Sequence, residues 1–205
     1  SAAHPRRSPP GGAAERRREA LGFALEQDDG LLVQNIHRAD VILLGVSRVS
    51  KTPLSMYLGA RYGYKVANVP LVLGMEPPPE ILRVDPRRVF GLIIQPRKLH
   101  KIRAARAQEK SLESCECFGG YSSFEMARKE IAWCRRLYEE HPEWVVLDAT
   151  YRGVEENAAI VSEVVCLRTT PILACMHAQE CAYIVISAPH TLTLQPHTEK
   201  DGLGE

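Results

Sequence analysis

From residue 19 onward two kinds of hydrophobic pattern alternate along the chain. Short apolar runs occur at Val41–Val46 (VILLGV), 65–73 (KVANVPLVL), Val89–Ile94 (VFGLII) and Trp144–Leu147, the last ending at Asp148. They are rich in β-branched residues, as strands buried on both faces are. Pro70 weakens the second of them. Between the runs, apolar residues return at helical spacing. Residues 19–27 form one such segment, stopped at Gly30. Thr52-Pro53 is expected to open the next as N-cap and first helical residue. Its apolar positions are Leu54, Tyr57, Leu58 and Tyr62, and Gly63 ends it. A basic helix is predicted at about 97–109, and Ser122 or Ser123 caps another with the stripe Ala127, Ile131, Cys134 and Tyr138. Val154, Ala158, Val161 and Val165 mark a closing helix. Strands alternating with helices predict βαβ units, an α/β fold with a mostly parallel sheet flanked by helices.

The ends read differently. Residues 1–18 hold five Arg against one acid, with Pro, Gly and Ala and no apolar period, and are expected to be a linker or disordered segment. Their Arg-rich, acid-poor character is also that of the end of an organelle transit peptide. Residues 166–205 are expected to be a poorly integrated tail, although 180–187 (ECAYIVIS) could form a strand. That leaves 19–165 as the folded domain, with a polar loop at 113–120.

Composition narrows the class. The 205 residues are 45% hydrophobic and 25% charged, which suits one α/β domain and excludes wholesale disorder. No run approaches the 18 apolar residues of a membrane span, and a net charge of +1 argues against a dedicated nucleic-acid binder. The six cysteines form no C-x-x-C pair. Cys175, His177 and Cys181 lack an evident fourth zinc ligand, so the cysteines read as ordinary thiols in a reducing compartment.

The sharpest chemical signal is Gly45-Val46-Ser47-Arg48-Val49-Ser50-Lys51-Thr52, between the first strand and the helix after it. A phosphate-binding loop follows G-x-x-x-x-G-K-[ST] and needs a tight turn, backbone N–H groups aimed at phosphate and a helix N-terminus behind them. Lys51 would reach the transferring phosphoryl group and Thr52 would hold Mg²⁺. Ser50 replaces the second Gly, where a positive φ costs Ser about 1 kcal/mol. An ordinary β-to-α turn is the competing reading. Asp148, at a strand end, suits either Mg²⁺ binding or a turn. The paired carboxylates Asp28 and Asp29 suit a general base or a helix-end decoration. Residues 83–110 hold nine Lys/Arg against Asp85 and Glu109, a density fit for clamping phosphate, docking an acidic partner or lining a solvated face. Arg48, inside the loop, is the best placed cation.

Taken together, HRADVILLGVSRVSKTPLSMYLGARYGYKVANVPLVLG, DPRRVFGLIIQPRKLHKIR, REALGFALEQDDG and EWVVLDATYRGVEENAA resemble the pyruvate, phosphate dikinase regulatory protein family, over about residues 17–165. The resemblance implies a bifunctional enzyme. It would phosphorylate a Thr of the dikinase with ADP as donor, yielding AMP and inactivating the target. It would also remove that phosphate with inorganic phosphate, yielding diphosphate. By the same resemblance Gly45 through Thr52 is the ADP-binding loop, and Ser50 is a family variant. Lys51 and Arg48 would hold ADP phosphates, the D-D-G pair Asp28 and Asp29 would supply the base, and Asp148 with Thr52 the Mg²⁺ ligands. A chloroplast stromal location is implied, with the cytoplasm as the alternative and a homodimer left open. Three departures stand out: Gln27 where the family has His, an absent segment ahead of the D-D-G region, and the tail after 165. They leave a non-catalytic ADP- or dikinase-binding module as the alternative function. A small-molecule kinase is a weaker third reading.

Overall fold

The structure, a computed structural model, describes residues 12–28, 33–111, 123–169, 186–187 and 191–192. Its centre is a four-stranded, all-parallel sheet of β1 (Val41–Gly45), β2 (Val66–Pro70), β3 (Val89–Ile93) and β4 (Val145–Asp148), in the order β2-β1-β3-β4. Every residue of β1 and β3 is buried, which explains why both read as unbroken apolar runs. The helices are α1 (Ala13–Glu26), α2 (Lys51–Tyr62), α3 (Pro96–Ser111), α4 (Phe124–Glu139) and α5 (Val154–Thr169). In one group α2 packs against α1 and α5; in the other α3 packs against α4, which lies on β3.

The expected elements are present, with shifts that have local causes. α1 begins at Ala13 rather than residue 19, so residues 13–18, expected to be linker, are its first turns. Ala, Glu and Arg are good helix formers, and exposed turns of them need no apolar stripe; Ala20, Phe23 and Ala24 supply the buried face. α2 begins at Lys51 and its N-cap is Ser50, not Thr52; Pro53 falls within the first turn. β2 ends at Pro70, which fits the edge of the sheet because proline cannot donate to a ladder. Ser123 caps α4, its Oγ accepting the Met126 N–H at 3.1 Å, and Ala127, Ile131, Cys134 and Tyr138 are all buried. Tyr62 is exposed and lies outside the core.

Residues 113–120, Ser122, Cys115, Cys117, Cys175, His177 and Cys181 lie outside the described residues. From the predicted strand at 180–187 only β5 (Ile186–Ser187) is described, and it pairs antiparallel with β6 (Thr191–Leu192). No helix among the described residues is long and apolar enough to cross a membrane.

One contact fixes the spacing between sheet and α4. The Tyr138 ring lies on Gly91 of β3, where a Cβ would stand 2.6–2.8 Å from three ring carbons. The Tyr138 hydroxyl donates to the carbonyl of Leu44 at 3.2 Å, tying α4 to the end of β1. This places α4 directly beneath the loop that follows.

Candidate functional site

The sheet order has a consequence for ligand binding. The chain leaves β1 toward β2 through α2, and leaves β3 toward β4 through α3 and α4, in opposite directions along the sheet. In open α/β sheets ligands bind in the crevice outside the carboxyl ends of the strands at such a divergence. The residues at this point are the 46–50 loop.

That loop is held in an unusual conformation. Arg48 (φ 74°) and Ser50 (φ 70°) are both in the left-handed region, on either side of Val49, and left-handed residues next to right-handed ones aim successive N–H groups at an anion. Ser50 therefore bears the backbone strain expected of it, at about 1 kcal/mol. Gly45 admits the chain closely: a Cβ there would lie 2.9 Å from the Leu92 carbonyl oxygen and from Cγ2 of Val49. No side chain caps the first turn of α2, so its N–H groups are not taken up by a capping oxygen.

Two cations hold the loop's carbonyls. Lys51, 6% exposed, donates from Nζ to the Val46 carbonyl at 2.9 Å. Arg103, from α3, donates to the Ser47 carbonyl at 3.1 Å and forms a 2.5 Å ion pair with Glu130 of α4. In a trans peptide the N–H points opposite to the carbonyl, so the Arg48 N–H is directed away from the buried guanidinium, toward the exposed side of the loop. The Arg48 side chain is itself exposed. Beneath the loop, burial pushes the Cys134 thiol up to about 12, with its hydrogen bond to Tyr138 opposing that rise. Burial likewise raises the Tyr138 phenol.

The structure brings Asp28 to this loop across a long stretch of sequence. The Thr52 hydroxyl donates to Asp28 Oδ1 at 2.8 Å, and Asn68 Nδ2 donates to the same oxygen at 2.5 Å and to Thr52 Oγ1 at 3.0 Å. Asp29 lies outside the described residues. Asp148 has a different setting: its Oδ1 accepts from the Thr150 N–H at 2.8 Å and from the Thr150 hydroxyl, which in turn accepts from the Gln95 N–H at 2.9 Å. That is a turn-stabilising arrangement at the end of β4, and no hydrogen bond joins Asp148 to Thr52 among the described residues.

Of the basic stretch, Arg97, Lys98, Lys101 and Arg106 are exposed, whereas Arg103 is buried. Lys98 donates to the Thr150 carbonyl and lies over the ring of Tyr151, 5.9 Å from its centre. Arg103, Glu130 and Asn68 are the residues that sequence reasoning missed. Arg103 follows the buried Leu99 at helical spacing, and Asn68 is the polar residue within the second apolar run, so both carried a signal.

The donors around Thr52 are oxygens of a hydroxyl and a carboxylate, the kind that suit Mg²⁺. No three His, Cys, Asp or Glu side chains gather into a metal site among the described residues.

Comparison with known proteins shows what the chain is similar to. A protein of Geotalea daltonii, provisionally named a pyruvate, phosphate dikinase regulatory protein, is 50% identical over 144 residues, covering 70% of this chain and 52% of its own length. Its Geobacter metallireducens counterpart, under the same provisional name, is 46% identical over 151 residues, covering 74% and 55%. Pyruvate, phosphate dikinase regulatory protein 1, chloroplastic, of Arabidopsis thaliana is 44% identical over 146 residues, covering 71% and 36%. The chain thus spans about half the length of the bacterial relatives it matches. Residues 11–161 match the kinase/pyrophosphorylase family, and the chain belongs to that family.

Proposed function

We propose that the chain transfers phosphoryl groups to and from a threonine of pyruvate, phosphate dikinase. ADP is the donor in one direction. The bond from the β-phosphorus to the bridging oxygen breaks, a bond to the threonine oxygen forms, AMP leaves and the dikinase is inactivated. In the other direction inorganic phosphate attacks the phosphothreonine, giving diphosphate and the restored hydroxyl. The observation that carries this reading is the contact of Asp28 with Thr52 at the start of α2, directly behind the strained loop.

Each residue has a task in this scheme. The N–H groups of 46–50 and the Lys51 ammonium bind the ADP phosphates and offset the charge that develops on the leaving AMP oxygen. Arg48 clamps a phosphate from the exposed side. Asp28 orients the acceptor and takes its proton. Thr52, with Asp28 beside it, would hold Mg²⁺, which would supply positive charge against the phosphates. The geometry favours Asp28 over Asp148 as the carboxylate partner of Thr52. The exposed cations of α3 suit an acidic surface of the dikinase. The chloroplastic Arabidopsis relative supports a stromal location, and the bacterial relatives support the cytoplasm as the alternative.

The alternative reading of the sequence is an ADP- or dikinase-binding module without turnover. A single assay decides between them. Purified dikinase is incubated with the chain and labelled ADP or ATP, with Lys51→Ala alongside. ADP-dependent incorporation at a threonine, lost in Lys51→Ala, supports the enzyme. ADP binding without incorporation supports the module, and incorporation from ATP into a small acceptor instead would sink both.

A further inference from the structure

The seam between the acidic segment and the sheet is closed by one side chain. Asn68 lies in β2, 1% exposed, flanked along the strand by the buried Ala67 and Val69. Its main-chain N–H donates to the Gln27 carbonyl at 3.2 Å. Its Nδ2 donates to Asp28 Oδ1 at 2.5 Å and to Thr52 Oγ1 at 3.0 Å. Two consecutive residues of the acidic segment are therefore docked by the same asparagine, one through main chain and one through side chain.

The orientation of the amide follows from its neighbours. Turned over, its carbonyl oxygen would face a carboxylate oxygen, acceptor against acceptor. In the orientation present, Asn68 Oδ1 is buried with no hydrogen-bond partner among the described residues, and so is Nε2 of the 2%-exposed Gln27. A buried acceptor left unpaired is destabilising, and an apolar side chain at this position would not carry it. What the asparagine supplies in return is the Nδ2 donor, shared by Asp28 and Thr52.

We propose that Asn68 is a positioning residue for phosphoryl transfer. It docks the acidic segment against α2 and fixes Asp28 Oδ1 beside Thr52, so that Oδ2, which takes no hydrogen bond from the described residues, is presented to the acceptor hydroxyl. The proposal rests on the reading of Asp28 as the base. Without the amide the carboxylate rotates away, and misplacement by about 1 Å at a reacting group costs about 10²-fold in rate.

The test uses the full 205-residue chain carrying Asn68→Ala, Asp28→Asn or both, with the dikinase and ADP as substrates. Asn68→Ala is expected to lower kcat by about 10²-fold while KM for ADP stays within about threefold, a split that a merely destabilised site would not show. The double variant is expected to be no slower than the slower single. Retention of kcat, a proportional loss of ADP affinity, or losses that multiply in the double variant would overturn the proposal. Should Asn68→Ala fail to fold by circular dichroism, Asn68→Leu nearly keeps the side-chain size but loses the donor, and the same loss in kcat is expected. Wild-type chain without transfer activity would refute the catalytic reading. Hydrogen exchange then decides the positioning: Asn68→Ala must speed exchange of the amides of residues 24–28 while α4 stays protected, and unchanged exchange there would overturn it.

Discussion

Glu130→Gln should destabilise the protein more than any surface charge change, and the structure gives the size of the effect. The Arg103 side chain is 1% exposed and that of Glu130 11%, with 2.5 Å between them. A guanidinium cannot lose its proton in a protein, so Glu130→Gln takes away the buried counter-charge that stands 2.5 Å from Arg103 and puts a neutral amide in its place. Breaking one side of a buried pair costs about 3–5 kcal/mol, whereas replacing both partners with apolar residues of similar volume is often neutral. With a urea m-value of about 2 kcal/mol per M, Glu130→Gln should lower the unfolding midpoint by about 1.5 M or more. The double change Arg103→Met with Glu130→Met should return it to within about 0.5 M of wild type. ADP affinity should fall in the double variant all the same, because the Ser47 carbonyl has lost its donor. A shift below about 0.5 M in Glu130→Gln, or a double variant worse than either single, would show that Glu130 is not the buried counter-charge of Arg103.

Three further outcomes follow from the packing. Gly91→Ala puts a Cβ within 2.6 Å of the Tyr138 ring and should cost about 1–3 kcal/mol in urea unfolding; in a Tyr138→Leu background the added cost should shrink. At Ser50, held at φ 70°, Gly should change thermal stability by less than about 1 kcal/mol, since relief of strain is offset by a freer unfolded chain, while Val should cost more. The Cys134 thiol, raised by burial from 9.0 to about 12, stays neutral in the folded protein after it has begun to ionise in the unfolded one. The unfolded state then binds fewer protons, so its contribution to stability is fully present below pH 9 and is lost as pH rises toward 12. Peptide mass spectrometry at pH 8 should find the exposed Cys166 alkylated at once and Cys134 only as the protein unfolds.

Much of the fold was legible because parallel strands covered on both faces leave unbroken apolar runs and the helices between them keep their period. The start of α1 was not, since residues 13–18 are exposed and helical by propensity rather than by an apolar stripe. The loop at 46–50 was readable as a motif, including the strain at Ser50. What joins it to the rest was less so. The Asp28–Thr52 contact spans 24 residues and depends on how α1 docks, which no local pattern encodes. Arg103 was hidden among exposed cations of the same helix, and only its place one turn after Leu99 marked it as inward-facing. Asp148 shows the opposite case, a residue whose sequence position allowed two roles and whose partners, Thr150 twice over, are those of a turn.

Whether the 45–52 segment holds the phosphates of a nucleotide is read by calorimetric titration of the chain with ADP in the presence of Mg²⁺. Saturable one-to-one binding is expected, weakened about tenfold or more in Lys51→Met, which keeps the buried stem of Lys51 while removing the ammonium. A folded wild-type chain that shows no ADP binding, or a Lys51→Met variant that binds ADP as tightly as wild type, would contradict it.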